Sequence, residues 1–282
     1  MRKTLLICAC ASMLGAASAA TVTWTGGAGT NNWETGGNWD SGTAPAGGDT
    51  INIEGNSVVW SKTGGSTFGS DSTVYNLTNG GTLTLGNTTA TSTVPSSNPR
   101  FDGQFNVGEG CTLNVNAMFA YGTSQIDGTV NVYNVFDPGA NHSLSFGING
   151  VINYMEGSLN GVEGNGRTTT ISASLNTGTV TIGSAYGIEK RYLIAGAPTG
   201  NFSTTLYQGW TLAAGTLTGS DGSTLNAAEG ELTASADDFG KYKLGHDNNG
   251  VYVEYVFATP EPATASLSLL GLAVLMMRRR RA

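Results

Sequence analysis

The feature that most constrains this chain is a recurring short segment in which every second residue is apolar, bounded by glycine or asparagine. Examples are Thr82-Leu83-Thr84-Leu85, Thr112-Leu113-Asn114-Val115 and Thr129-Val130-Asn131-Val132. Ser143-Leu144-Ser145-Phe146, Val151-Ile152-Asn153-Tyr154 and Gly178-Thr179-Val180-Thr181-Ile182 follow. Period two, with Thr, Asn or Ser at the alternate positions, is the pattern of a half-buried strand. Helices are disfavoured from the other side. Charged residues are 12% of the chain, about half the usual share of a globular domain, too few for the solvent faces of long amphipathic helices. The 42 glycines follow no Gly-X-Y period, which excludes collagen, and 39% hydrophobic content suffices for a core.

The segments form an internal repeat, Gly-(x)-Thr-hydrophobe-Asn/Thr-hydrophobe. Leu113 to Val130 is 17 residues and Val130 to Val151 is 21, bracketing the roughly 20-residue coil of a parallel β-solenoid. The expected fold is therefore all-β: a right-handed parallel β-solenoid (β-helix) over 50–186, in which each coil buries its apolar face on its neighbours. Asn114, Asn116, Asn131 and Asn134 are placed either to ladder between coils or to occupy turns. Residues 241–257 read as a β-hairpin, Lys241-Tyr242-Lys243-Leu244-Gly245 and 251–257 around an Asn-Gly turn. A terminal antiparallel β module over 187–257 is thus expected to cover the open solenoid end. The rival architecture is an antiparallel β-sandwich.

Both ends read as addresses. Arg2 and Lys3 precede an apolar run over 5–17 and the small-residue site Ala17-Ser18-Ala19-Ala20, the three parts of a signal peptide over 1–19 with a helical apolar core. Cleavage is expected after Ala19, with Ala20 as the next choice. At the other end Pro260-Glu261-Pro262 leads into an uncharged apolar stretch, 263–277, then Arg278, Arg279, Arg280 and Arg281. Fifteen helical residues span about 22 Å against an about 30 Å hydrocarbon core, so a crossing uses the flanking residues and snorkelling arginines. The arginines stay on the cytoplasmic side, which agrees with export of the body.

Pro260-Glu261-Pro262, one short apolar helix and a terminal arginine cluster resemble the PEP-CTERM sorting signal of Gram-negative bacteria, here over 258–282. That resemblance implies recognition by an exosortase at the inner membrane and removal or exchange of the tail. The Trp/Gly-rich cap over 20–49, with Trp24-Thr25-Gly26-Gly27, Asn32-Trp33 and Asn38-Trp39, resembles the opening of autotransporter-type passengers and PEP-CTERM solenoid proteins. Pro45-Ala46-Gly47-Gly48-Asp49 extends it. Arg191-Tyr192-Leu193-Ile194-Ala195-Gly196 resembles the closing module of the same group. These likenesses imply a surface-displayed β-solenoid; they do not imply an enzyme.

Charge and chemistry narrow the function. Six of 13 cations lie in the two ends, and the remaining seven against 20 acids leave the body near −13. Seven scattered cations supply no nucleic-acid footprint. Once Cys8 and Cys10 leave with the signal, Cys111 stands alone and reads as a small buried apolar residue. Neither His142 nor His246 belongs to a metal spacing, and both read as turn or edge positions. No nucleophile elbow, phosphate loop or dinucleotide fingerprint occurs. The carboxylates with some claim to paired acid chemistry are Asp237-Asp238, Glu229/Glu231, Asp127, Asp137 and Glu156, all read as turn or polar-module residues. Asp221-Gly222-Ser223 and Asp247-Asn248-Asn249 carry calcium-type oxygens but read as tight turns, so no cofactor or metal is expected. Trp24, Trp33, Trp39, Trp60 and Trp210 are the stacking residues. The favoured reading is a plug of the first coil by Trp24, Trp33 and Trp39, and the alternative is glycan binding at Trp33 and Trp39.

The expected protein is an exported structural or adhesive component of the cell surface or extracellular matrix. Its partners would be exosortase and the secretion machinery, then exopolysaccharide or neighbouring copies, with the membrane reached through the tail helix before processing. The alternatives are a carbohydrate-active β-helix enzyme, lyase or hydrolase, and a lectin-like module.

Overall fold

The computed structural model of the chain describes residues 19–61, 65–86, 88, 99–137, 142–155, 168–196 and 211–260. The expected signal helix and the apolar tail helix with Arg278, Arg279, Arg280 and Arg281 lie outside the described residues. So do Glu261, Pro262, Glu156 and Trp210. Among the described residues no helix is long and apolar enough to cross a membrane.

The chain is all-β, and its described strands form one mostly parallel 17-stranded sheet. That composition sets aside the antiparallel sandwich. The dominant rule is that a strand pairs in parallel with the strand two positions later. A first ladder runs through β1 (Thr21–Thr23), β2 (Thr50–Glu54) and β4 (Thr67–Thr78). It continues through β6 (Arg100–Val107), β8 (Thr123–Ile126), β10 (His142–Phe146) and β12 (Thr168–Leu175). A second ladder runs through β3 (Ser57–Trp60), β5 (Thr82–Leu85) and β7 (Thr112–Ala120), then β9 (Thr129–Asp137) and β11 (Val151–Tyr154). The longer strands bend to supply a third: Thr67–Gly69 lies beside Arg100–Asp102, which lies beside Ala117–Phe119 and then Val135–Asp137. Five of the six alternating segments quoted above lie in these strands. Their alternation is the reason: each places one row of apolar residues inward and one polar row outward.

Register puts like over like. In the first ladder Ile51, Tyr75 and Phe105 stand in one column, and Ile53, Leu77, Val107, Ile126 and Phe146 in the next. In the second, Val58, Leu83, Leu113, Val130, Ile152 and Ile194 form one column, and Trp60, Leu85, Val115, Val132 and Tyr154 another. In the third, Phe101, Met118 and Phe136 stack. All of these are buried. At about 1.5–3 kcal/mol per fully buried large apolar side chain, these columns are the main stabilising term, and Cys111 joins them as a buried thiol.

Corners need special backbone. At Gly69 φ is +93°, and an added Cβ would lie 2.1 Å from the Asp102 carbonyl oxygen, so only glycine fits there. The extra residues 70–73 of β4 turn the chain, with Thr73 Oγ1 accepting from the amides of Gly48 at 2.8 Å and Ser70 at 2.9 Å.

One strand expectation is corrected. Residues 178–182 are not a strand. The chain turns at Gly178 (φ 68°), whose packing against the Ala258 carbonyl leaves room for no side chain. Val180 and Ile182 then project outward with nothing to bury against. Alternation alone did not reveal that no neighbouring strand was on offer.

The C-terminal part is antiparallel where it was expected to be. β16 (Lys241–Asp247) and β17 (Gly250–Thr259) form the hairpin. The residues between the strands are Asn248 and Asn249, with Gly250 at φ 138° opening the second strand. β13 (Ala185–Ala195) pairs antiparallel with β17 and parallel with β11. It thereby closes the second ladder. The first ladder runs past residue 186, because β14 (Thr211–Gly219) adds to β12 in parallel.

Arg191 fastens the closure. Its guanidinium donates to the carbonyls of Gly147, Gly150 and Ser174, each at 2.7 Å, joining β13 to the β10–β11 turn and to β12. Burial lowers its pKa, opposed by Tyr255 and Glu189. Beside it Lys190 pairs with Asp247 and lies 3.7 Å from the Tyr252 ring centroid, while Tyr192 OH donates to Asp247 at 2.9 Å.

Substitutions at two positions test these assignments in denaturant unfolding. Arg191→Met, which strands three carbonyls, should cost about 2–3 kcal/mol, and Arg191→Lys should recover only part, because an ammonium lacks the planar fork. Leu113→Ala in the central column should cost about 2–5 kcal/mol.

Candidate functional site

The outward rows carry the site. In the first ladder Asn52, Asn76 and Asn106 lie on consecutive rungs, between the inward residues of their strands. Asn106 Nδ2 donates to Asn76 Oδ1 at 2.8 Å, and Asn76 Nδ2 donates to Asn52 Oδ1 at 2.9 Å. Asn52 Nδ2 reaches Thr23 Oγ1 at 3.4 Å, and Asn106 Oδ1 also accepts from Gln104 Nε2 at 3.1 Å. In the second ladder Asn153 donates to Asn131 at 3.0 Å, Asn131 to Asn114 at 2.9 Å, and Asn114 to Thr84 Oγ1 at 3.4 Å. All six amides are half-buried. A third, inward pair differs: Asn116 and Asn134 are buried, 3.4 Å apart, at the corner where β7 and β9 bend. Of the four asparagines singled out from sequence, two therefore ladder on the outside and two at the buried corner. Asn52, Asn76 and Asn106 were not among the asparagines singled out from sequence. An asparagine between two inward apolar residues was the available signal.

A shallow groove of about 410 Å³ lies along the first ladder. Asn52, Asn76, Asn106 and Gln125 form its floor, with Glu54 and Asp127 at its rim. Asp127 accepts from Gln125 Nε2 at 2.6 Å. Next to it Glu109, Asp127 and Asn149 line a second recess of about 290 Å³, in which Asn149 donates to Glu109 at 3.3 Å. This surface presents planar amides with lone pairs and N–H groups still free for a ligand. That inventory suits hydroxyl-rich polymers.

The other sequence candidates are placed as follows. Trp24, Trp33, Trp39 and Trp60 are 5%, 1%, 3% and 7% exposed. Trp39 meets Trp24 and Trp33 edge-on at 4.9 Å, and Trp33 stacks on Trp60 at 5.1 Å. Trp39 Nε1 donates to the Trp33 carbonyl at 2.7 Å. Four rings this enclosed offer no face to a sugar, so the glycan-binding alternative at Trp33 and Trp39 gives way to the plug. Buried Asn38 holds the plug's loop, donating to Thr30 and to the Asn32 carbonyl and accepting from Ala28.

Asp238 pairs with Lys241 and accepts from Thr233; the lysine first, then the threonine, hold its carboxyl below the usual range. Glu231 pairs with Lys243 at 2.6 Å, and Glu229 and Asp237 are exposed. Asp137 is buried on the third ladder, two rungs from Asp102. Asp102 is engaged by Arg100, whose Nη2 bridges it at 2.9 Å to Tyr121 OH at 2.8 Å and whose guanidinium lies over Phe119. His142 accepts the Gly122 amide on Nδ1 at 2.8 Å and meets Tyr121 edge-on. His246 lies in β16 facing solvent.

Both calcium-type loops are turns. Asp221 Oδ1 accepts from the Ser223 amide and Asp247 Oδ1 from the Asn249 amide, at 2.9 and 2.8 Å. Among the described residues no three His, Cys, Asp or Glu side chains are grouped to hold a metal ion. Of the sorting motif, Pro260 is exposed at the end of β17, and Ala19 and Ala20 are exposed before β1.

The chain matches no protein-family model, no curated protein and no solved structure.

The outward ladder makes a sharp prediction. Asn76→Asp keeps the acceptor toward Asn106 but loses the donor to Asn52, setting an anionic oxygen against Oδ1. Stability at pH 7 should fall by about 1–3 kcal/mol. It should recover as acid protonates the introduced carboxyl, whose folded-state pKa the lost donation raises above the ordinary value of about 4, because the protonated form donates again. Unfolding midpoints at pH 7 and pH 3.5, each referred to the unsubstituted protein, check both halves.

Proposed function

We propose that this chain is an exported, non-enzymatic surface protein whose body is a right-handed parallel β-solenoid, and that its outward amide ladders associate with exopolysaccharide or with neighbouring copies. The observation that carries the reading is the groove over Asn52, Asn76 and Asn106, floored by amides in register from rung to rung. A regular polymer meets a regular surface there, and planar amides offer the donor-acceptor pairs that sugar hydroxyls use. The three-ladder order, visited cyclically along the chain, favours the solenoid, and parallel crossovers within a sheet are right-handed in about 98% of cases.

Export and sorting rest on the residues of the two ends. The signal segment directs the body outward. The Pro260-Glu261-Pro262 tail, its apolar stretch and the four arginines resemble a PEP-CTERM signal, so the route runs through an inner-membrane intermediate and exosortase to the outer surface or matrix. The enzyme reading gains little from two of the acids. Asp102 is engaged by Arg100 and Asp238 by Lys241, so neither is free to act as an acid or base in the described arrangement.

Two measurements test the proposal. The exported protein, screened against neutral and acidic polysaccharides, should bind without depolymerising them. Asn76→Asp should weaken binding about tenfold, which is about 1.4 kcal/mol. Chain-length reduction of any bound polymer would replace this reading with the enzyme. Separately, alanine at Pro260, Glu261 and Pro262 together should hold the protein at the inner membrane, and unchanged surface display would reject the sorting route.

A further inference from the structure

The carboxylate of Asp49 holds the backbone nitrogen of Ala20. Ala20 N–H donates to Asp49 Oδ1 at 2.9 Å, and the Ala46 amide donates to Oδ2 at 2.8 Å. Asp49 is only 9% exposed. None of the ion pairs among the described residues, Arg100–Asp102, Lys190–Asp247, Lys241–Asp238 and Lys243–Glu231, engages it. A largely buried carboxylate held only by neutral amides is short of a countercharge. The geometry is fixed on both sides: Thr50 N donates to the Ala20 carbonyl at 2.7 Å, Val74 N to the Asp49 carbonyl at 3.0 Å, and Thr21 pairs with Thr50.

The nitrogen in question is the one that signal removal would free. Ala17-Ser18-Ala19 is the small-x-small site read above, and Ala19 and Ala20 are exposed to a peptidase. We propose that Asp49 is the receptor for the processed N-terminus: cleavage between Ala19 and Ala20 creates an ammonium that pairs with Asp49 and locks β1 onto β2. Water hydrolyses the peptide bond, leaving a carboxylate on Ala19 of the departing segment and an amine on Ala20 that takes up a proton. An amide N–H···carboxylate bond thereby becomes an ion pair, charged on both sides, without moving the chain. β1 is three residues long and supports Trp24 of the plug, so processing and the setting of the first rung become one event. This rests on the cleavage reading.

Sign and pH window follow from the pair. A carboxylate partner raises the α-amino pKa above its ordinary value of about 7.7–8.0. The added stability is therefore complete below that value and lost as pH rises through the folded-state pKa. The other charged groups on the packed elements are Asp40, which accepts the Thr23 amide, Glu54 at the far end of β2, and Asp71 on the 70–73 corner, all carboxylates.

The test uses the whole exported protein. Intact mass and N-terminal sequencing should find Ala20 first. At pH 7 its thermal midpoint should exceed that of the same protein acetylated at Ala20, or carrying a Gly-Ser extension, by about 3–8 °C. That gap should close between about pH 8 and 10 and vanish in Asp49→Asn. If that variant fails to fold, the acetylated and extended proteins still decide through the pH dependence of the gap. A chain beginning at Thr21 overturns both the cleavage reading and the receptor. A chain beginning at Ala20 with a midpoint indifferent to acetylation and pH overturns the receptor alone.

Discussion

Vertical registry of like residues is the interaction on which the rest of this molecule depends. Leu83 lies over Leu113 and Tyr75 over Phe105, the latter rings stacked 4.7 Å apart and 2° from coplanar. Parallel strands about 4.8 Å apart bring such side chains into contact without interdigitation, so a one-residue slip would turn every apolar row to solvent. The low charge content follows. Identical charges stacked on consecutive rungs would repel at that spacing, whereas stacked amides attract, because each donates upward or downward and accepts on its other side. Asparagine is the polar residue that tolerates this repetition.

Repetition leaves two ends that cannot satisfy themselves, and the chain treats them differently. The first rung is covered by aromatic area: Trp24, Trp33, Trp39 and Trp60, held by Asn38. The second ladder is finished by a change of strand direction, with β17 running antiparallel to β13 and Arg191 gathering three carbonyls across the join. One end is stabilised by apolar burial, the other by hydrogen bonding. Arg191 also shows how a cation is kept in a half-buried place: three carbonyl oxygens accept its hydrogen bonds, and Tyr255 and Glu189 offset part of the burial.

The strands of the second ladder were legible in the sequence because Thr82–Leu85, Thr112–Val115 and Val151–Tyr154 carry strict alternation, and the hairpin because its turn residues sit between two alternating runs. The third ladder was not. Ala117-Met118-Phe119-Ala120 is apolar at every position, since its outer side is covered as well, and unbroken apolar runs hide their period. Residues 178–182 failed in the opposite sense, having the period without a partner strand. The outward amide rows were half legible. Asn114 and Asn131 stood in recognised strands, but whether an asparagine faces outward to a ladder or inward to a corner depends on where the chain bends. Asn114 and Asn116, two residues apart in one strand, take opposite answers.

The two outer amide ladders share an orientation. In both, the later residue donates to the earlier one: Asn106 to Asn76 to Asn52, and Asn153 to Asn131 to Asn114. Amide dipoles aligned head to tail sum rather than cancel, as peptide dipoles do along a helix. Rows of side chains that carry no formal charge thus acquire an arrow, their N–H groups aimed toward the tryptophan end and their carbonyls toward the antiparallel closure. A polymer lying in the groove, itself different when read forward and backward, would meet unlike partners in the two directions.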